Sequence, residues 1–391
     1  MADAILTINA GSSSIKFALY ELKETLVRTA VGLAENIGQA PHLLIKTGKD
    51  VALEKRWPDH APLNHEDLLE EVLNWVETHL GDDQLVAAGH RIVHGGKTFL
   101  GPTLLTPAHL VDLARLNQLA PLHEPHNTAA VQALFKLRPE LPQVGCFDTS
   151  FHHTMPELAT RLALPRKYYD EGVRRYGFHG LSYEYITSRL PEVAPHLSKS
   201  RIIVAHLGNG ASMCAIKDGK SVDSTMGFTA LDGLVMGTRC GAIGAGVLIY
   251  LMQSDGMNAD DLTDLLYKKS GLLGVSGISS DVRTLLASPK PEAKEALDLF
   301  AFQAARQAAG LIASLGGLDG MIFTAGIGEH SPEIRAAICE RLAWAGIQLS
   351  SEANAANEPA ISTCESKVEV HVIPTDEELM IATHTKHLIN K

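Results

Sequence analysis

Cysteine is scarce and unpatterned. Cys146, Cys214, Cys240, Cys339 and Cys364 are odd in number, form no CxxC pair and lie in or beside apolar segments. That excludes a disulfide framework and reads as reduced thiols of a cytoplasmic protein. Basic charge is short too. With 34 Lys and Arg against 45 Asp and Glu, the net charge is -11, which argues against nucleic acid or an anionic membrane as the main partner. A small anion stays open, because a local cluster of arginine reverses the field inside a cleft. No apolar run is long enough to span a membrane; the best, 242–252, is short and glycine-rich. A signal peptide is not expected, since Asp3 precedes the first apolar run and a strand-like pattern follows at once. Low-complexity tracts, linkers and HExxH are all missing. Histidines do cluster in His123-Glu124-Pro125-His126 and His152-His153, but Pro125 interrupts helical spacing between the first pair, so zinc is disfavoured.

What the chain does contain is one device written twice. Residues 5–20 and 202–216 each read as an apolar run, a turn of small residues (Asn9-Ala10-Gly11-Ser12-Ser13-Ser14, then His206-Leu207-Gly208-Asn209-Gly210) and a second apolar run. Turns of Gly, Ser and Asn bare backbone N–H groups, which hold anions, so the repeat suggests a phosphate gripped from two sides. Strands are expected over 5–9, 15–20, 85–88, 144–147, 201–206, 211–216, 221–224, 321–324 and 368–372. Asp218-Gly219 marks a hairpin. Helices are expected over 63–80 (capped by Asn64), 106–120, 126–137, 180–189, 259–268, 291–315, from Ser331-Pro332 onward, and 374–389. At 391 residues two domains are natural, and the polar, His-rich stretch 149–156 marks the change.

Rival readings of the glycine-rich segments fail. Residues 91–98 match the second half of a Walker loop, but Arg91 stands where its first glycine belongs. Gly326-Ile327-Gly328-Glu329-His330-Ser331 begins like a dinucleotide fingerprint, yet Ser331 replaces the third glycine and the segment comes late in the chain. Two glycines ahead of a helix still let a nucleotide lie close to the backbone. Arg91 and Arg239 sit among apolar residues and glycines, where a planar guanidinium needs a carboxylate or phosphoryl partner. His123 and His179 are similarly boxed in.

Taken together the motifs resemble the acetate kinases. Asn9 to Phe17 is similar to their first signature and Tyr176-Gly177-Phe178-His179-Gly180-Leu181-Ser182 to their second. Segments 89–96, 121–123, 147–149, 206–210, 236–241, 279–281, 326–329 and 374–379 resemble family motifs in the same order, over essentially the whole chain. The resemblance implies an α/β fold of two duplicated actin-like (ribonuclease H-like) lobes around an ATP cleft. The lobes would be 1–149, with the terminal helix 378–391 packing back on it, and 150–377. It also implies reversible transfer of the ATP γ-phosphoryl group to acetate with Mg2+, in a homodimer; propionate is the alternative acceptor. A carboxylate is already ionised at neutral pH, so the chemistry needs positioning and relief of anion repulsion more than a base. ATP-driven binding proteins of the same fold class have no use for Arg91, His123, His179 and Arg239 in such settings.

By the same resemblance, Arg91 would hold the acyl carboxylate, with Val93, Leu122 and Phe178 lining its pocket. His179 and Arg239 would bind the moving phosphoryl group, assisted by His123. Asn9 and Glu377 would order Mg2+. Lys16, Ser12 and Ser14 would meet phosphate, and His206, Leu207, Gly208, Asn209 and Gly210 would cradle the phosphates. Asp281, Val282, Arg283 and Gly326, Ile327, Gly328, Glu329, His330 would surround adenosine. Asp148 is expected to be catalytic, either anchoring the metal through water or orienting a neighbour. Four positions depart from the family pattern: 242–245 beside Arg239, Ala230 near the acyl pocket, Asp376 and His330. The small Ala230 leaves room for an additional methylene.

Overall fold

The computed structural model describes residues 3–121 and 123–390. The chain forms two compact units, Met1–Ser150 with Asp376–Lys391, and Phe151–Thr375.

The first unit is built on an eight-stranded sheet of order β5-β4-β3-β2-β1-β6-β8-β7. Its strands are β1 (Asp3–Ala10), β2 (Ser14–Leu22), β3 (Leu26–Glu35), β4 (His42–Thr47), β5 (Asp50–Arg56), β6 (Gln84–Ile92), β7 (Thr103–Leu104) and β8 (Gln143–Phe147). β1 pairs antiparallel with β2 and parallel with β6, and β6 runs parallel to β8. Its central strands are covered on both faces, so they are buried almost continuously and do not alternate. On one face lies helix His65–Leu80, whose Leu68, Leu69, Val72, Leu73 and Val76 form a single apolar stripe. It opens with a capping box in which Asn64 and Asp67 satisfy each other's backbone N–H. On the other face Ala382 of helix Glu377–Ile389 packs on Ala18 and Tyr20. That helix crosses β6 so closely that a β-carbon at Gly89 would lie 2.3 Å from Thr385 Oγ1.

The second unit carries a five-stranded sheet of order β11-β10-β9-β12-β13, made of β9 (Arg201–Leu207), β10 (Ala211–Lys217), β11 (Lys220–Ser224), β12 (Gly320–Thr324) and β13 (Glu369–Val372). Here too a hairpin leads: β9 pairs antiparallel with β10 and parallel with β12, which is parallel to β13. The run β3-β2-β1-β6-β8 therefore has the topology of β11-β10-β9-β12-β13, and the repeat read in the sequence is one of whole sheets. Helix Gly180–Val193 seats Tyr183, Ile186 and Leu190 on Ile202, Val204, Cys214 and Ile216. Asp218 and Gly219 turn β10 into β11 with positive φ at both positions, as a two-residue hairpin loop demands.

Several expectations need correction. The helix expected over 106–120 is only His109–Leu116, because Thr106 spends its N–H on His109 Nδ1 and does not cap the helix. Pro125 does not break the next helix, Glu124–Leu137, since it falls in the first turn, where a missing N–H costs nothing. Ser331 precedes helix Pro332–Arg341 without a side-chain capping bond. The last helix starts at Glu377, not at 374, capped by Asp376 through Leu379 N. Strands β3 to β5 had no place in the sequence reading. All five cysteines are free thiols. No helix among the described residues is long and apolar enough to cross a membrane.

Candidate active site

In the first unit the parallel strands β6 and β8 end side by side and deliver Arg91 and Asp148. Asp148 is 1% exposed and takes the guanidinium in a fork: Arg91 Nε donates to Oδ1 at 3.0 Å and Nη2 to Oδ2 at 2.6 Å. Glu377, at the start of the last helix, approaches Nη1 at 3.6 Å. Burial works against the Arg91 charge, but Asp148 and then Glu377 outweigh it and hold the pKa above the usual arginine value. Asp148 holds the guanidinium by Nε and Nη2, and only Nη1 of Arg91 is left outside the fork. The chain after β6 carries Val93, whose N–H donates to Asn127 Oδ1 at 2.9 Å, and His94, whose N–H donates to Glu124 Oε2 at 3.1 Å. Asn127 also donates to Ala10 O at the end of β1. His123 sits just before this helix, its carbonyl accepting from Asn127 N at 3.2 Å. Leu122 lies outside the described residues.

The turn after β1 is tight: Gly11 N–H donates to Ser14 O at 2.8 Å, and Gly11 O is held by His65 Nε2 at 2.7 Å. The matching turn in the second unit does the same, Gly208 N–H donating to Gly210 O at 3.2 Å. Both leading glycine N–H groups are therefore spent inside their turns and not bared to a ligand. Ser12 is exposed and Ser14 half-buried. Asn9 pairs in register with Lys16, an exposed cation.

In the second unit His179, with φ +58, opens helix Gly180–Val193. Its ring stacks on His206 with centroids 4.2 Å apart. Each Nδ1 is tied to a serine, His179 to Ser212 and His206 to Ser182, both at 2.8 Å. Below lies His152, whose Nε2 donates to Phe178 O at 2.9 Å and whose ring stands 2.6 Å from where a Gly177 side chain would begin. Arg239 is fixed by Nη1 donating to Ala230 O at 2.7 Å. A β-carbon at Gly210 would lie 3.3 Å from Arg239 Nη2 and 3.4 Å from His179 Nε2. The turn 208–210, the arginine and the histidine thus face one small open spot. The neighbouring loop is locked to it by Gly237 N–H donating to Asn209 O.

Residues Ala325–His330 are not the loop the sequence suggested but a short helix. Gly328 is buried, and a β-carbon there would come into ordinary contact with the Phe323 and Ala205 backbone, whereas Gly326 faces open space. Ala325 has φ +64, a strained value for a non-glycine residue, and the Glu329 carboxylate accepts its N–H at 2.8 Å and that of Thr375 at 3.2 Å. Ile327 is half-buried and His330 exposed. Arg335, wholly buried, donates to the carbonyls of Gly328 and Glu329 and to Asn354 and Asn357. Asp281 caps the helix Val282–Leu286, and its hydrogen bonds to Arg283, first of all, draw its pKa down to about 2. Asp376 meets Arg28 at 3.2 Å, so its charge is engaged within its own unit.

Sequence reasoning passed over His152, Ser182, Ser212, Asn127 and Arg335, because their role is to hold other residues from behind. An arginine or glutamate embedded in an apolar stretch was the one available signal.

A duplicated sheet of this topology, with a paired arginine in one unit and a His-Arg-Gly spot in the other, defines the class of two-lobed α/β proteins with actin-like lobes. The chain belongs to the acetokinase family, whose model matches residues 4–383. It is 50% identical over 396 aligned positions to the acetate kinase of Rhodopseudomonas palustris, covering 99% of each chain, and 49% identical to that of Methylocella silvestris, covering 100% and 99%. Among solved structures it resembles a propionate kinase from Francisella tularensis (36% identity, TM-score 0.91, 98% and 99% covered). It also resembles the Porphyromonas gingivalis acetate kinase (38%, TM-score 0.87, 99% and 100% covered).

Proposed function

We propose that this chain catalyses the reversible transfer of the γ-phosphoryl group of ATP to acetate, giving acetyl phosphate and ADP. An acetate oxygen bonds to the γ-phosphorus as the bond to the β–γ bridging oxygen breaks, and ADP leaves with that electron pair. No proton has to move, because acetate is ionised at neutral pH. The task is to align two anions and neutralise the charge that spreads over the transferring group.

Arg91 receives the acetate carboxylate through Nη1, with Asp148 holding the rest of the fork rigid; Val93, Leu122 and Phe178 line the methyl side and His123 assists. His179 and Arg239 hold the phosphoryl oxygens. His206, Leu207, Gly208, Asn209 and Gly210 meet the phosphates, with Lys16, Ser12 and Ser14 contributing from the first unit. Asp281 to Arg283 and Gly326 to His330 enclose adenosine. Asn9 and Glu377 supply oxygen donors, which suit a hard cation. Mg2+ held there would neutralise phosphate charge.

The observation that carries this reading is the bare spot at Gly210. Two cationic or hydrogen-bonding groups, each braced from behind, face the turn at Gly210, where a β-carbon would lie 3.3 Å from Arg239 Nη2 and 3.4 Å from His179 Nε2. In the same reading the protein works in the cytoplasm as a homodimer. The helix Ala245–Ser254, which exposes Val247, Ile249, Tyr250 and Met252, supplies an apolar face for the second copy.

The test is incubation with ATP, Mg2+ and hydroxylamine, offering acetate, propionate or butyrate in turn. Acyl hydroxamate from acetate is expected, and none from any acid contradicts the reading. Propionate remains the second acceptor because Ala230 is small, and a pocket separates one methylene by only about 1–3 kcal/mol. A propionate kcat/KM about a thousandfold below that for acetate excludes it.

A further inference from the structure

Glu124 is a fully buried carboxylic acid at the acyl half-site with no role so far. It is 0% exposed. Its Oε2 accepts the His94 N–H, and its Oε1 has no hydrogen-bond partner among the described residues. A buried carboxylate normally collects several donors or a cation; Glu124 has a single backbone N–H. It also lies one turn before Asn127 on the same helix. Together the two side chains take the consecutive N–H groups of Val93 and His94, while Asn127 fastens the end of β1.

The charges around it point the same way. Arg91 sets one positive charge against Asp148 in the fork and Glu377 beside it, with Glu378 also acting on it electrostatically, so the protein's side chains leave no spare positive charge here for an anionic substrate. A further negative charge would repel that substrate. We propose that Glu124 is a positioning residue held as a neutral acid: it fixes the backbone of the acyl pocket at His94 while keeping an uncompensated charge away from the substrate carboxylate. This rests on the acyl-kinase reading above.

Burial, then the nearby Asp148 charge, raises the Glu124 pKa to about 8 against the pull of the His94 N–H. The N-terminal end of its helix also favours the anion, but by less than burial opposes it. The other titratable groups on the surrounding elements leave this balance alone. Burial keeps His94 neutral, with a pKa lowered to about 4. Arg91 is taken up by Asp148. His65 of helix His65–Leu80 stacks on His126. The acids Glu66 and Glu77 are paired with Lys136 and Arg138, and Asp112 with Arg115 on helix His109–Leu116.

The experiment compares the wild-type chain with Glu124→Gln and Glu124→Ala, reading KM for acetate, kcat and urea stability from pH 5 to 9.5. The wild-type KM should rise above pH 8, approaching tenfold per pH unit, with kcat little changed. Glu124→Gln should hold its pH 7 KM within about threefold of wild type and lose the alkaline rise. Glu124→Ala, which leaves the His94 N–H unpaired, should raise KM about tenfold or more at pH 7. An unchanged alkaline rise in Glu124→Gln overturns the proposal. So does a folded Glu124→Gln with a large KM defect at pH 7, for that would mean the charge is needed. If the wild-type chain forms no hydroxamate from any acid, the functional reading fails by itself. The protonation state is then decided by unfolding alone: Glu124→Gln must gain stability over wild type progressively between pH 4.5 and 8, and a constant difference overturns it.

Discussion

Asp148 gives the site its sharpest test at the level of single residues. Its fork on Arg91 is buried, so removing one carboxylate charge leaves the guanidinium with Glu377 alone; breaking a buried pair costs about 3–5 kcal/mol. Asp148→Asn should therefore lower kcat/KM for acetate by about a hundredfold or more, with the loss mainly in KM. Raising Mg2+ should not restore it, and the alkaline rise in KM should persist but begin at lower pH, because the Asp148 charge helps to raise the Glu124 pKa. Rescue by Mg2+ would point to a metal role, and a lost pH limb to proton transfer. Arg91 and Arg239 were legible as candidates because charged residues among glycines and apolar neighbours need a partner, and His179 because it is similarly boxed in; Asp148 entered through the family resemblance alone. Which partner was not legible: 57 residues separate Arg91 from Asp148, and only the parallel register of β6 and β8 joins them. His152 was hidden for a related reason, since it acts through the Phe178 carbonyl and touches no candidate ligand.

Among the elements, the two strand-turn-strand devices carry the account. Their apolar runs and small-residue turns mark them in the sequence, and both form as antiparallel hairpins flanked by a parallel strand. What periodicity missed was the use of the glycines. Gly11 and Gly208 serve their own turns, Gly89 admits a helix, and Gly210 leaves the open spot before Arg239 and His179. Gly210→Ala should cut kcat about tenfold or more, because a methyl group there fills the space before both groups and makes the Arg239 guanidinium give by a few tenths of an ångström. The melting temperature should change by less than about 4 °C, since Gly210 is only half-buried and the methyl meets the ends of two side chains. An active Gly210→Ala enzyme would move the phosphoryl site elsewhere. Of the antiparallel strands that escaped the sequence reading, β5 is solvent-facing and carries four charged residues in seven, and β3 has no strict alternation of buried and exposed positions. The helix at Ala325–His330 escaped it because two glycines in six residues argue for a loop; the Glu329 carboxylate, accepting the Ala325 N–H, holds the turn together.

The whole molecule stores a pH dependence in its buried histidines. His90, His94 and His152 are all nearly inaccessible, and burial, the leading cause for each, lowers their pKa values to about 4. The unfolded chain takes up these protons near pH 6.5 while the folded chain refuses them until about pH 4. Stability is therefore full above pH 6.5 and falls as the pH drops from 6.5 to 4, by up to about 3 kcal/mol per histidine. Glu124 works in the opposite sense between pH 4.5 and 8. Urea unfolding of His152→Gln against wild type should show a difference that shrinks as the pH falls through this window; a pH-independent difference would contradict it. The duplicated topology was legible from the two hairpins, but the matching order of five strands was not, because strand order depends on contacts between distant segments.

The central claim is that the phosphoryl group leaves ATP for a carboxylate and not for water. Phosphorus NMR of the wild-type chain with ATP, Mg2+ and carbon-13 carboxyl-labelled acetate observes this directly. The account predicts an acyl phosphate resonance, coupled to the labelled carbon and growing in equal amount with ADP. ADP accompanied only by inorganic phosphate would contradict it.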